Sequence, residues 1–225
     1  MTRAFFITGT DTGVGKTLVA AALLHGANAT GARTLGLKPV AAGGHMEQGQ
    51  FVNEDAWQLK QLSTVQPNYA DVNPVALKAA IAPHIAAEQE GVFLSAESLA
   101  THCRNQAETA DFCVIEGAGG WCVPLNASET MADLAVAIGY PVILTVGIRL
   151  GCINHTLVSV AAIEHSGLKL AGWIANEIHP DMPVIDENIA TLETRLTAPL
   201  LGRIPWDDTA SATVAASCLA MEKLL

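Results

Sequence analysis

The chain has 225 residues, of which 50% are hydrophobic and 15% charged, and its formal net charge is −10. An acidic chain without a run of Lys and Arg argues against a nucleic-acid partner, because such a partner needs cations to neutralise its phosphates. A charged fraction below about a quarter is typical of buried parallel strands covered by helices. We expect residues 1–225 to form a single domain.

Neither the cysteines nor the histidines form a recognisable ligand or disulfide pattern. The five cysteines lack Cys-x-x-Cys spacing, and the seven histidines lack metal-ligand spacing. The sequence also shows no signal peptide and no apolar stretch of membrane-spanning length. These features predict a cytoplasmic protein with no membrane partner.

The first predicted elements are a strand over residues 4–8 and a helix over residues 18–24, joined by Gly-Thr-Asp-Thr-Gly-Val-Gly-Lys-Thr. A triphosphate needs several converging backbone N–H donors, and a glycine-rich turn before a helix supplies them. The motif therefore predicts a phosphate loop over residues 9–17, lengthened because its first glycine, Gly9, lies one position earlier than usual, in which Gly13, Val14 and Gly15 contact the nucleotide. Lys16 would reach the β- and γ-phosphates, and the Thr17 hydroxyl would bind Mg²⁺.

A second strand is predicted over residues 34–40, ending where Pro39 blocks further pairing. Lys38 would then lie at the carboxyl end of that strand, where open α/β sheets bind ligands. It would neutralise an anionic substrate group or the transferred phosphoryl, or it would be a solvated lysine. Residues 41–52 carry three glycines and predict a mobile loop. Asp55, at the start of the next helix, would either cap it or bind Mg²⁺.

The middle of the chain predicts an extended connection over residues 70–74 and helices beginning near Pro83 and Ser95. An apolar strand then ends in Glu116 and is followed by glycines. A carboxylate at the carboxyl end of a strand beside a phosphate loop is where Mg²⁺ is held. The glycines near Gly119 would let the backbone approach the γ-phosphate or the substrate, or would form a tight turn.

Strands and helices alternate through the rest of the chain. We predict helices over residues 131–138, 157–165 and 184–196, and strands over residues 141–147, 170–176 and 200–206. This alternation, without an internal repeat, predicts an α/β fold with a doubly wound, mostly parallel sheet and helices on both faces.

Three further candidate sites lie near the ends of these elements. Asn176 ends a strand and carries the donor and acceptor that an adenine edge requires, although a turn residue is the alternative. The adenine could pack near the strand closed by Pro205. Free N–H groups at the helix start over residues 151–154 could bind a carboxylate. We expect no catalytic role for His155 and no nucleophilic role for Cys152.

Five motifs in order carry a family likeness. They are residues 9–17 (GTDTGVGKT), 36–40 (GLKPV), 114–120 (VIEGAGG), 151–155 (GCINH) and 202–206 (GRIPW). With this spacing, residues 4–206 resemble dethiobiotin synthetases, the ATP-dependent carboxylases of biotin biosynthesis. The resemblance implies a P-loop NTPase fold, ATP and Mg²⁺, and the substrates 7,8-diaminopelargonic acid and CO₂. It also implies a carbamate that ATP phosphorylates before the second amine closes the ring.

The resemblance also implies roles for individual residues. Catalytic roles fall to Lys16, Lys38 and Thr12, and Mg²⁺ binding falls to Thr17, Asp55 and Glu116. The nucleotide would contact the phosphate loop, Glu116, Gly119, Asn176 and Pro205. The diamine would contact Thr12 and Lys38, and its carboxylate would be bound by Gly151, Cys152, Ile153 and Asn154 of the second subunit of a homodimer.

Ala42 departs from the family pattern, since many members have serine after Lys-Pro-Val-Ala. A hydroxyl donor near the carbamate is therefore missing. Two other classes are alternatives. An amidoligase of the cobyrinic-acid type would need a glutaminase domain, for which the chain has no room. A nucleotide switch of the partition or nitrogenase type would carry a signature lysine where this chain has Asp11.

Overall fold

A six-stranded parallel sheet runs through the protein, whose computed structural model describes residues 2–209 and 211–225. In chain order the elements are β1 (Arg3–Gly9), α1 (Lys16–Asn28), β2 (Thr34–Leu37), β3 (Val40–Ala42), β4 (His45–Glu47), β5 (Gln50–Val52), α2 (Glu54–Leu62), α3 (Tyr69–Val72), β6 (Val75–Leu77), α4 (Pro83–Glu90), α5 (Ala96–Ala107), β7 (Phe112–Gly120), α6 (Met131–Ile138), β8 (Val142–Ile148), α7 (Cys152–His165), β9 (Leu170–Glu177), α8 (Ile185–Arg195), β10 (Leu200–Ile204), α9 (Ala212–Ser217) and a 3₁₀ turn at Met221–Lys223.

The strand order in the main sheet is β10-β9-β8-β1-β7-β2, and every neighbouring pair is parallel. Parallel pairing aligns the carboxyl ends of the strands at one edge. Ile7 in β1 is paired with Glu116 in β7, and Gly147 in β8 is paired with Asn176 in β9. The predicted candidate residues at the strand ends therefore share one edge of the sheet.

Helices cover both faces of this sheet, which confirms the predicted α/β architecture. Alternate residues of a strand point to opposite faces. Phe6 accordingly packs into the core under α4 to α8, whereas Ile7 packs into the core under α1, α2, α3 and α9. Strands buried on both faces explain the low charged fraction of the chain.

Two predicted segments differ from the structure. Residues 41–52, predicted as a mobile loop, contain the antiparallel hairpin of β4 and β5, and the predicted second strand is interrupted at Lys38 between β2 and β3. Three-residue strands are too short to show a period. Residues 70–74, predicted as extended, include most of α3, where the backbone N–H of Asn68 donates to Asp71 Oδ2 at 3.2 Å. That side-chain contact stabilises a helical turn, although the Asn-Pro that follows it in the sequence suggests an extended segment.

Across residues 2–209 and 211–225, no helix combines the length and the hydropathy needed to cross a membrane.

Candidate functional site

The phosphate loop lies between the end of β1 and the start of α1. Gly15 has φ 88° and Gly13 has φ 73°, a left-handed conformation that glycine adopts without strain. Val14, between them, is 1% exposed. A Cβ on Gly9 would lie 2.6 Å from Val14 Cγ2, and one on Gly147 would lie 2.8 Å from Val14 Cγ1. The early glycine of the lengthened loop therefore makes room for the Val14 side chain.

Asn176 supports this loop from beneath. Its Nδ2 donates to the Val14 carbonyl oxygen at 2.9 Å, and a Cβ on Gly15 would lie 2.2 Å from the same nitrogen. The side chain is buried, so this hydrogen bond fixes the loop relative to the end of β9. Its predicted contact with adenine stays a prediction.

Two lysines and two carboxylates meet beside the loop. Lys38 Nζ lies 2.5 Å from Glu116 Oε1 and 3.3 Å from Asp55 Oδ2. It also donates to the carbonyl oxygen of Gly117 at 3.2 Å. Lys16 Nζ donates to the Asp11 carbonyl oxygen at 3.0 Å. The solvated alternative for Lys38 is excluded, because its side chain is buried and paired.

The surroundings of the two lysines shift their pKa values in opposite directions. Burial lowers the pKa of Lys16 from 10.5 to about 8, and the positive charge of Lys38 acts in the same direction. Burial also opposes the charged form of Lys38, but the negative charges of Glu116 and Asp55 outweigh it and raise the pKa of that ammonium. The positive charge of Lys38 is therefore balanced by carboxylates of the protein, whereas the positive charge of Lys16 is not fully balanced.

The oxygen atoms near Lys38 fit a magnesium ion. Glu116 Oε1 accepts a hydrogen bond from Thr17 Oγ1 at 2.9 Å, while the buried Glu116 Oε2 has no hydrogen-bond partner among the described residues. Across residues 2–209 and 211–225, no group of three or more His, Cys, Asp or Glu side chains is arranged to hold a metal ion. A hydroxyl and two carboxylates suit Mg²⁺, which keeps several waters and shares its coordination with phosphate oxygens.

Asn53, rather than Asp55, caps α2. Asn53 Oδ1 accepts from the backbone N–H of Ala56 at 3.2 Å, and its Nδ2 donates to the Gly43 carbonyl oxygen at 2.9 Å. Asp55 is therefore free of the capping role and reaches Lys38 instead. Of the two alternatives for Asp55, capping is wrong, and Mg²⁺ binding stays a prediction.

A cavity of about 700 Å³ opens beside these groups. Of the predicted site residues, it is lined by Thr12, Gly13, Gly15, Lys16, Thr17, Lys38, Asp55, Glu116 and Gly119. Thr12 and Gly119 approach each other, since a Cβ on Gly119 would lie 3.4 Å from Thr12 Oγ1. Ala42 also lines the cavity, so the position at which the family resemblance leads us to expect a serine faces the same space.

Comparison with known proteins decides the family. A family model described as "AAA domain" matches residues 3–213. The ATP-dependent dethiobiotin synthetase BioD of Cellvibrio japonicus (strain Ueda107) is 56% identical over 223 residues, which are 99% of this chain and 98% of that protein. The chain belongs to the dethiobiotin synthetase family. The dethiobiotin synthetase BioD of Xanthomonas euvesicatoria pv. vesicatoria (strain 85-10) is 49% identical over 221 residues, 98% of each chain.

Solved structures resemble this member of the dethiobiotin synthetase family in fold. The septum site-determining protein MinD of Pyrococcus horikoshii, complexed with Mg-ADP, has a TM-score of 0.61 at 19% identity and covers 100% of this chain and 94% of its own. A ParA family ATPase of Chlorobium tepidum has a TM-score of 0.58 at 12% identity, covering 100% and 93%. At such identities the likeness shows the P-loop NTPase fold alone.

Two groups of predicted residues lie away from the cavity of this dethiobiotin synthetase family member. Residues 151–154 form the start of α7, with Cys152 buried, Asn154 exposed and the preceding Leu150 92% exposed. Pro205 lies after β10 and lines a separate depression of about 440 Å³ together with Trp206. Neither group contacts the cavity within one chain.

One part of the cavity lining and one ion pair at the phosphate loop have no clear signal in the sequence. Residues 80–83, which lead into α4, also line the cavity, and only Pro83 marked that segment in the sequence. Arg149 forms an ion pair with Asp11 of the loop. These two residues are 138 positions apart, and nothing in the local sequence connects them.

Proposed function

We propose that this protein is an ATP-dependent dethiobiotin synthetase that converts 7,8-diaminopelargonic acid and CO₂ to dethiobiotin, with release of ADP and phosphate. The observation that carries the proposal is the convergence of Lys38, Glu116 and Asp55 beside a phosphate loop, at a cavity that Thr12 also lines. It is joined by the 56% identity to a relative of that name.

The reaction begins as one amine of the diamine adds to CO₂, forming a carbamate and releasing a proton. A carbamate oxygen then attacks the γ-phosphorus of ATP, the bond to the β,γ-bridging oxygen breaks, and ADP leaves. The second amine attacks the carbonyl carbon of the resulting carbamic-phosphoric anhydride. Phosphate leaves, a proton is lost, and the ureido ring closes.

In our proposal the two lysines have different tasks. In the nucleotide-free protein the positive charge of Lys16 is not fully balanced. Lys16 binds the β- and γ-phosphates, which supply the missing negative charge. Lys38 stabilises the negative charge shared by the carbamate and the transferred phosphoryl. Thr12 and the backbone at Gly119 orient the reacting groups across the cavity.

Thr17, Asp55 and Glu116 would hold Mg²⁺, which would neutralise charge on the phosphates during transfer. Glu116 Oε2, buried without a hydrogen-bond partner among the described residues, is the atom that supports this assignment. Since Glu116 Oε1 already contacts Thr17 and Lys38, one carboxylate would serve the ion and the lysine through separate oxygens.

We further propose that the protein is a cytoplasmic homodimer, a location in keeping with its five free cysteines. The start of α7, at residues 151–154, does not line the cavity of its own chain. The N–H groups of Ile153 and Asn154, in the first turn of α7, would bind the substrate carboxylate in the partner's site, whereas that of Cys152 already donates to the Arg149 carbonyl oxygen. Mixing two inactive variants, Lys38→Met and Asn154→Asp, should then restore activity, because a mixed dimer contains one intact site. A dimer that stays inactive after subunit exchange would contradict this arrangement.

The first test of the function is ADP release from the purified protein with ATP, Mg²⁺ and bicarbonate, with and without the diamine. We expect diamine-dependent ADP release with an equal amount of dethiobiotin by mass spectrometry. Lys38→Met serves as the control for contaminating activity. Nucleotide binding without a diamine response would reject the synthetase and favour a nucleotide switch.

A further inference from the structure

Asp11 is a partly exposed residue of the phosphate loop and directly precedes the exposed Thr12 and Gly13. Its Oδ1 accepts a hydrogen bond from the backbone N–H of Thr12 at 2.7 Å, and its carbonyl oxygen accepts one from Lys16 Nζ at 3.0 Å. Both partners are proposed to contact the reacting groups. The placement of Asp11 therefore decides where Thr12 and Lys16 lie before any nucleotide binds.

Arg149, the residue after the neighbouring strand β8, forms an ion pair with Asp11. Its Nη2 forms an ion pair with Asp11 Oδ2, so the two carboxylate oxygens have separate partners. Arg149 directly follows β8, and its carbonyl oxygen accepts from the backbone N–H of Cys152 at 2.9 Å. The arginine thus extends from a turn that is anchored to the first residue of α7.

Two hydrogen bonds attach the preceding residue, Thr10, to β8. The backbone N–H of Thr10 donates to the Thr145 carbonyl oxygen at 3.0 Å, and Thr10 Oγ1 accepts from the Gly147 N–H at 3.4 Å. Asp11 is the next residue, and its side-chain link to Arg149 continues this attachment into the part of the loop that lines the cavity.

We propose that Arg149 is a positioning residue for the nucleotide: through its ion pair with Asp11 it holds the phosphate loop in the conformation that receives phosphate. The inference rests on the proposed function only in taking the loop to bind a nucleotide. The hydrogen bond from Thr12 and the charge of Arg149 both lower the pKa of the Asp11 carboxyl, which keeps the pair ionised at neutral pH.

The effect should be moderate, because the Arg149 and Asp11 side chains are 35% and 45% exposed. An ion pair of this exposure contributes at most about 1 kcal/mol, which corresponds to about a fivefold change in dissociation constant. A loop that is ordered before binding favours ATP and ADP alike. We therefore expect KM for ATP to rise about fivefold while kcat changes less than about twofold.

The test is titration calorimetry with ADP, which needs no diamine. Arg149→Met and Asp11→Asn should each raise the dissociation constant about fivefold, and the double variant should be no weaker than either single one. Arg149→Lys, which keeps the charge, should stay within about twofold of the original protein. Arg33→Met is the control: it removes an ion pair with Asp111, at the opposite end of the sheet, whose side chains are 62% and 53% exposed.

Three outcomes would overturn the proposal. In the first, ADP binds equally well to all of the variants. In the second, Arg149→Met weakens binding but Asp11→Asn does not, so that Arg149 acts on the nucleotide directly. In the third, the losses add in the double variant. If ADP binding follows the expected pattern but no dethiobiotin forms, the positioning role stands and the proposed synthetase reaction fails.

Discussion

Replacing Lys16 by methionine should stabilise the nucleotide-free protein while removing its affinity for ATP. Lys16 is 6% exposed, and burial together with the charge of Lys38 lowers the pKa of its ammonium to about 8. The charged form is therefore less favourable in the folded protein than in the unfolded chain. Methionine has a similar length and no charge, so it fills the same space without that cost.

The pKa of Lys16 sets the size and the sign of this effect. A lysine whose pKa falls from 10.5 in the unfolded chain to about 8 in the folded protein costs the folded state about 3 kcal/mol at pH 7. The cost is present below pH 8, where both states hold the proton, and declines above pH 8, because the folded protein has then released a proton that the unfolded chain keeps up to about pH 10.5. At pH 9.5 less than half of the cost remains.

Urea unfolding at pH 7 and pH 9.5 measures these differences. At pH 7 we expect Lys16→Met to have a free energy of unfolding about 2–3 kcal/mol higher than the original protein, after loss of the hydrogen bond to Asp11. The gap should narrow at pH 9.5. Lys169→Met, at an exposed lysine before β9, is the control. A Lys16→Met protein that is less stable at pH 7, or a gap that widens with pH, would refute the reasoning.

Lys38→Met should lower turnover about 100-fold while ADP affinity in calorimetry falls far less, because Lys38 is proposed to act on transferred charge; unchanged turnover would remove it from the mechanism. Gly147→Ala should weaken ADP binding in the same assay, since its Cβ would lie 2.8 Å from Val14 Cγ1 and displace the loop; equal affinity would contradict that packing argument. Ala42→Ser should raise kcat/KM for the diamine in steady-state assays by restoring a hydroxyl at the cavity, whereas Ala80→Ser, on another part of the wall, should not. Equal effects of the two serines would reject a specific role for position 42.

Local sequence signals were enough to predict the elements whose first and last residues are marked by capping or glycine residues. The helix Met131–Ile138 was predicted with both ends correct, because Thr130 Oγ1 accepts from the N–H of Asp133 at 3.4 Å and Gly139 ends it at φ 78°. The phosphate loop was found for the same reason, since its glycines and lysine are adjacent in the chain. The hairpin β4–β5 has strands of three residues, which are too short for any pattern to appear.

Contacts between distant residues explain most of what the sequence did not reveal about the site. The position of Asn176 at a strand end predicts a contact with adenine, which stays a prediction, but it did not reveal that Asn176 Nδ2 donates to the Val14 carbonyl oxygen, 162 positions away. The pair of Asp11 and Arg149 likewise exists only because β1 and β8 are neighbours in the sheet. Strand order cannot be obtained from one sequence, so neither contact had a local signal.

The chain is strongly acidic, yet Lys16, Lys38 and Arg149 surround one short loop. Two of these cations have carboxylate partners within the protein, and Lys16 is the one whose pKa is lowered. A bound phosphate would therefore supply the negative charge that Lys16 lacks in the folded, nucleotide-free protein. The stability lost at Lys16 is then recovered when nucleotide binds, so ADP should raise the melting temperature of the original protein and leave that of Lys16→Met nearly unchanged.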